Sequence, residues 1–334
     1  MSSSIPLIRA AAVIPGEQWL TQNQLPAAEL LMAAGLPASP SAAPARLVSV
    51  HGMMLFLENM AAAHGPDFGA RIATPEALLC VGTPARAIRQ SRTVGEALHR
   101  IASTFHQHAS QLFLHIHEGP GGMQVKEGFS VIGSATMHHQ AQQHFAATMR
   151  CIGYLANGRP LDAELAIIPH PEFGIDHLKP YLGDKIVAQE GRQLCMWLPN
   201  EALALSFPWE PDIAQRHESE LLTSAASHSL LDSARILIAG MIADGNPSLE
   251  QLALCSGRSR RTLQRLLAAE GTSFTRLLDS VRQDHVLRHL TESHDSVSSI
   301  GSEVGFRNIS SVTRAVRRWT NVSPRQLRRD QQHV

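Results

Sequence analysis

Apolar positions recur at helical spacing across residues 47–63, where Val50, Met54, Leu57 and Met60 or Ala61 share one face; this predicts an amphipathic helix. A second helix is predicted over residues 93–105, with Thr93 as N-cap and Glu96 three residues on, the pattern of a capping box. At Leu112 the period changes to two. Leu112, Leu114 and Ile116 alternate with Phe113, His115 and His117, which reads as a strand over residues 112–117. Residues 125–134 supply a partner strand across the Gly-Pro-Gly-Gly turn at 119–122. A helix over 140–155 and strands over 161–169 and 194–198 complete a mixed α and β segment, with a Pro/Ser/Ala loop at 36–45. Pro208 to Pro211 ends it, and the polar stretch that follows reads as a connector.

Beyond this point the period is helical throughout. Ser248 precedes an apolar run with Gln251 three residues on, which starts a short helix over 249–255. Ser256-Gly257-Arg258 breaks it, and Ser259 caps a second helix over 260–270 that stops at Gly271. Two short helices joined by a Gly-containing turn make a helix-turn-helix. On the second of them Leu263, Leu266 and Leu267 form an apolar stripe, and Arg261, Gln264, Arg265 and Ala268 lie opposite at i, i+3, i+4 and i+7. Arginine can be bidentate to guanine and glutamine to adenine, so this face suits the major groove.

The arrangement recurs. Ser296 caps a helix over 297–304 packed through Val297, Ile300 and Val304, and residues 305–308 turn the chain. The next helix, 309–320, buries Val312, Ala315, Val316 and Trp319 and presents Ser310, Ser311, Arg314, Arg317 and Arg318. Ser323-Pro324 starts a last helix with Pro at its first position. Between the units a helix over 274–292, capped by Ser273, has nineteen residues and therefore spans roughly 28 Å. Recognition helices that enter successive major grooves on one face of a duplex sit about 34 Å apart. The connector has close to the required length, given the width of the units themselves.

Charge sharpens the division. The chain has 334 residues and 29 side chains of each sign, but 14 basic and 19 acidic ones lie up to Ser227 and 15 and 10 beyond it. All fifteen C-terminal cations are arginine, and a basic module joined to an acidic one implies a polyanionic partner. The four cysteines are scattered and form no C-x-x-C pair, so neither a zinc ribbon nor a disulfide framework is indicated. The N-terminus lacks a secretory pattern, and the apolar run at 236–243 is too short to span a bilayer, so a cytoplasmic protein without membrane association is expected.

The C-terminal residues resemble the DNA-binding domain of AraC/XylS-type transcription regulators. In the first unit the matching positions are Ala253, Ser259, Arg261, Leu263, Arg265 and Leu266; in the second they are Ile300, Gly305-Phe306, Ser310, Arg314, Arg318, Ser323-Pro324 and Arg328. Gly301 stands where the family usually has Ala, Val312 and Val316 replace two Phe residues, Asn321 replaces Gly, and Leu327 replaces an aromatic. More weakly, Phe56-Leu57-Glu58, residues 65–69 (GPDFG) and residues 93–98 (TVGEAL) resemble the arabinose-binding-like sensing domain of ornithine-utilisation-type regulators. The resemblance implies an α+β sensing and dimerisation domain over 1–214, a linker over 215–229, and an all-α DNA-binding domain over 230–334 with two helix-turn-helix units joined by a long helix. It further implies a homodimer that binds double-stranded promoter DNA, is activated by a small-molecule effector and works with RNA polymerase.

On this reading Arg261, Gln264, Arg265, Ser310, Ser311 and Arg314 read bases, while Arg260, Arg307, Asn308, Arg317 and Arg318 hold phosphates. Phe113, His115 and His117 are candidates for an effector pocket. His115-x-His117 also places two imidazoles on one strand face, which a metal site could use with His138, His139 or Glu118; no third ligand at fixed spacing is evident, and no metal or cofactor is assigned. The alternative is a metal- or metabolite-binding enzyme domain on a DNA-binding tail. No G-x-S-x-G, Walker loop, G-x-G-x-x-G or H-E-x-x-H motif supports it, so no catalytic residue is assigned.

Overall fold

A computed structural model describes residues 4–211, 229–245, 247–306 and 308–331. Apart from Ser229 the expected linker lies outside the described residues, and so does Arg307. The chain divides into two compact units: Pro6–His228 with Cys255–Gly257, and Met1–Ile5 with Ser229–Leu254 and Arg258–Val334.

The first unit opens with β1 (Leu7–Arg9), α1 (Ile14–Gln22), α2 (Ala27–Ala33), β2 (Leu47–Ser49) and α3 (Val50–His64). The helix expected from residue 47 thus starts three residues later. Leu47, Val48 and Ser49 pair antiparallel with β1, and Ser49 caps α3 by accepting from the Gly52 N–H at 3.0 Å. Short helices α4 (Phe68–Arg71), α5 (Pro75–Leu78) and α6 (Gly82–Arg89) lead to α7 (Val94–His108). Only half of the expected capping box forms there. Thr93 accepts from the Glu96 N–H, but the Glu96 carboxylate turns to the Arg92 N–H and the Arg100 side chain.

Next come β3 (Leu112–Gly119), β4 (Gly122–Phe129), α8 (Ala135–Asn157), β5 (Glu164–Ile167), α9 (Lys179–Leu182), β6 (Ile186–Ala188), β7 (Gln193–Pro199) and α10 (Asn200–Leu203). The expected hairpin is present, with Gly119 opposite Gly122. Helix α8 begins at Ala135, earlier than its apolar period indicates, because Ser134 accepts from the Met137 N–H and fixes the first turn. The five strands run in the order β3-β4-β7-β5-β6, antiparallel except for β5 beside β6. Leu114, Val125, Leu165, Leu194 and Met196 are buried between this sheet and the helices α7 and α8.

The second unit is all α: α11 (Leu230–Ala243), α12 (Leu249–Ser256), α13 (Arg260–Ala269), α14 (Phe274–Glu292), α15 (Val297–Glu303), α16 (Ile309–Thr320) and α17 (Pro324–Gln331). Ser229 and Asp232 close a complete capping box at the start of α11. Helices α11, α15, α16 and α17 all pack on α14, which buries Leu277, Val281, Val286 and Leu290. Among the described residues, no helix is long and apolar enough to cross a membrane.

Candidate nucleic-acid interface

Each helix pair is set by the same local chemistry. Gly257 between α12 and α13, and Gly305 between α15 and α16, have φ of +63° and +78°, a left-handed conformation open to glycine. The second helix of each pair is then capped: Ser259 accepts from the Thr262 N–H and Asn308 from the Ser311 N–H. The cap at Asn308 was not read from the sequence, where that residue stands as a phosphate contact. Its Oδ1 also accepts from the Ser311 hydroxyl at 3.0 Å.

The two exposed faces follow from the buried ones. On α13 Leu263 and Leu267 are buried and Leu266 is half-buried, so Arg261, Gln264, Arg265 and Ala268 are exposed. Arg260 is also exposed and forms an ion pair with Glu250 at 2.8 Å. On α16 Val312, Ala315 and Val316 are buried, Trp319 is half-buried, and Ser310, Arg314, Arg317 and Arg318 are exposed. Ser311 is half-buried, and its hydroxyl oxygen accepts from Arg314 at 3.4 Å. The connector α14 has the nineteen residues expected of it.

Several arginines also tie parts of the unit together. Arg318 pairs with Asp279 of α14 at 2.6 Å, while the Trp319 indole N–H donates to the other oxygen of the same carboxylate. Arg282 donates to the Val304 carbonyl at 2.9 Å and lies over the Phe306 ring. Arg328 donates to the carbonyls of Leu290 and Asp295. These contacts join residues far apart in sequence, so nothing in the local pattern marks them.

In the first unit, Phe113, His115 and His117 share the face of β3 opposite Leu114, with both histidines exposed. Glu118 pairs with His99 at 3.0 Å, and His138 and His139 are buried within α8, so the structure does not gather these groups into one ligand set. Among the described residues, three ligand-type side chains meet in the second unit instead. The donor atoms of His285, His289 and Glu303 lie within 4.8 Å of one another.

The inner side of the first unit contains a cavity of about 80 Å³ between α3, α7, α8 and the β3–β4 hairpin. Its walls are mostly apolar, but Glu127, His108, His144 and Thr148 also line it. Glu127 is 3 % exposed, and burial pushes its carboxyl up to about 8. Burial, assisted by the Arg9 cation, pushes His108 down to about 4, so it is neutral. The sequence does carry a signal for Glu127 that its reading missed: it falls in phase with buried Met123 and Val125 on β4, where a charge breaks an apolar alternation.

Residues 252–330 match the family described as "Helix-turn-helix domain", and residues 25–182 match the "Arabinose-binding domain of AraC transcription regulator, N-term". The chain belongs to the AraC family of transcription regulators. It is 28 % identical over 290 residues to the HTH-type transcriptional regulator VirS of Mycobacterium tuberculosis, covering 84 % of each chain. It is 30 % identical over 227 residues to the ornithine utilization regulator of Pseudomonas aeruginosa, covering 66 % of this chain and 65 % of that one. A crystal structure of the transcriptional regulator CdpR from P. aeruginosa aligns over 81 % of this chain and 90 % of its own at 21 % identity, with a TM-score of 0.33.

An AraC-family chain has a DNA-binding helix-turn-helix domain and an N-terminal ligand-binding domain, and both are present here. The α+β first unit and the all-α second unit with two helix-turn-helix pairs are the architecture expected from the sequence.

Proposed function

We propose that this AraC-family regulator binds promoter DNA with both recognition helices of each subunit. Helix α13 enters one major groove through Arg261, Gln264 and Arg265, and α16 enters the next through Ser310, Ser311 and Arg314. Arg260, Arg307, Asn308, Arg317 and Arg318 hold phosphates, so that DNA competes with Glu250 for Arg260 and with Asp279 for Arg318. The observation that supports this most strongly is the pair of exposed polar faces on α13 and α16 joined by the nineteen-residue α14.

The reading continues to the partners. Residues 1–214 sense a small molecule and dimerise, 215–229 link, and 230–334 bind DNA. Effector binding activates the homodimer, which recruits RNA polymerase at promoters in the cytoplasm. The chain carries out no catalytic step of its own, in keeping with relatives that are regulators. Mapping the sites occupied across the genome tests this. Enrichment at promoters that share a two-part sequence supports it, and occupancy without any shared sequence overturns it.

A further inference from the structure

We propose that the cavity lined by Glu127, His108 and Thr148 is the effector site, and that it takes a compact uncharged molecule with an apolar body and one hydrogen-bonding head. This rests on the effector-sensing reading of the first unit given above.

Three polar atoms have no partner although they are buried: Glu127 Oε2, His108 Nδ1 and Thr148 Oγ1. Leaving such atoms unpaired is costly, and all three belong to residues that line one cavity, which points to a bound polar head. The rest of the wall is apolar and adaptable, with Met53, Met54 and Met149 beside Phe105 and Phe145. A volume of about 80 Å³ holds roughly five to eight water-sized groups, so the ligand is small.

The groups that face Glu127 decide the charge of that ligand. Its cross-strand neighbours are Leu114 on β3 and Leu194 on β7. From α7 comes His108, and from α8 comes His144, whose Nδ1–H donates to the Gly69 carbonyl at 2.9 Å. Arg9 of β1 acts on His108 through its charge. Both histidines are held neutral by burial, and Glu127 is protonated at neutral pH. No Lys, Arg or Asp lines the cavity to balance a charged ligand, whose desolvation would go unrepaid. A protonated Glu127 donates to a carbonyl or amide oxygen, and Thr148 and His108 complete the contacts to the head.

The test uses the full chain labelled with 13C at the methionine methyls, titrated with isobutyramide, isobutylamine or isobutyrate. These three probes share a body and carry a neutral, cationic or anionic head. Isobutyramide is expected to shift the Met53, Met54 and Met149 signals saturably, ahead of both charged probes. Its affinity is expected to fall about tenfold from pH 7 to pH 9 as Glu127 loses its proton. Glu127→Gln should keep binding and lose that pH dependence, and Glu127→Leu should abolish it. Preference for the ammonium probe, affinity that rises with pH, or no movement of the three signals with any probe overturns the proposal. Saturable shifts with no effect on promoter affinity overturn the regulatory role of the cavity and leave promoter binding standing; absence of promoter binding contradicts the proposed function instead.

Discussion

Val312 of α16 packs into the space left by the missing side chain of Gly301 on α15: a Cβ built on Gly301 would lie 2.1 Å from Val312 Cγ2. The two residues are separate departures from the family pattern, and in the structure they form one contact. A β-branched side chain and a bare backbone let α15 and α16 approach closely, so the smaller residues leave both Val312 and Val316 fully covered. Gly301→Ala gains roughly 1 kcal/mol of helix propensity but overpacks this contact at a cost of about 1–3 kcal/mol. A double-mutant cycle with Val312→Ala, measured by chemical denaturation, should show the pair less destabilised than the sum by ~1 kcal/mol or more. Additive effects would show that the two residues do not share the contact.

Arg265 is exposed on α13 and has no ion-pair partner among the described residues. Arg265→Ala should cost about 1–3 kcal/mol of binding and relax preference at one block of the site. Unchanged discrimination between sites, at fixed salt, would remove it from the base-reading set.

Arg318 is different because Asp279 already holds it. If phosphate draws it away, Arg318→Ala weakens binding to all sequences alike and lowers the slope of log K against log salt by about one. A slope that stays unchanged while thermal stability falls would make Arg318 a purely internal tie between α16 and α14.

Glu127 makes stability depend on pH. Its folded pKa, near 8, lies above the ordinary carboxyl value of 4.5, so between these values the folded state binds more protons than the unfolded one. Its contribution therefore falls as pH rises, by up to ~1.4 kcal/mol per pH unit through that window. The advantage of Glu127→Gln over the wild type should grow from pH 5 to pH 8 in denaturant titrations. A constant difference would mean that the carboxyl is ionised in the folded protein.

The helix-turn-helix elements were legible to within one residue because three of the four helices begin at a Ser cap and the turns carry glycine, whereas the Asn308 cap of α16 was not read. The connector α14 was equally legible, since Ser273 caps it and no Gly or Pro interrupts it. Strands β2 and β6 were not, because three residues are too few to show a period. The contact of Asp279 with Arg318 spans 39 residues and depends on packing that only the fold supplies. Phe113, His115 and His117 were legible as the polar side of β3, whereas the buried polar groups Glu127 on β4, His108 on α7 and His144 and Thr148 on α8 come together only through the fold.

The most direct test of two-groove reading is selection of bound sequences from random duplexes by the full-length protein. Two short conserved blocks per subunit are predicted, centred about one helical turn (10–10.5 base pairs) apart, with stronger base preference in the block read by α13. A single block per subunit, or two blocks at a spacing off the helical repeat, would contradict the account.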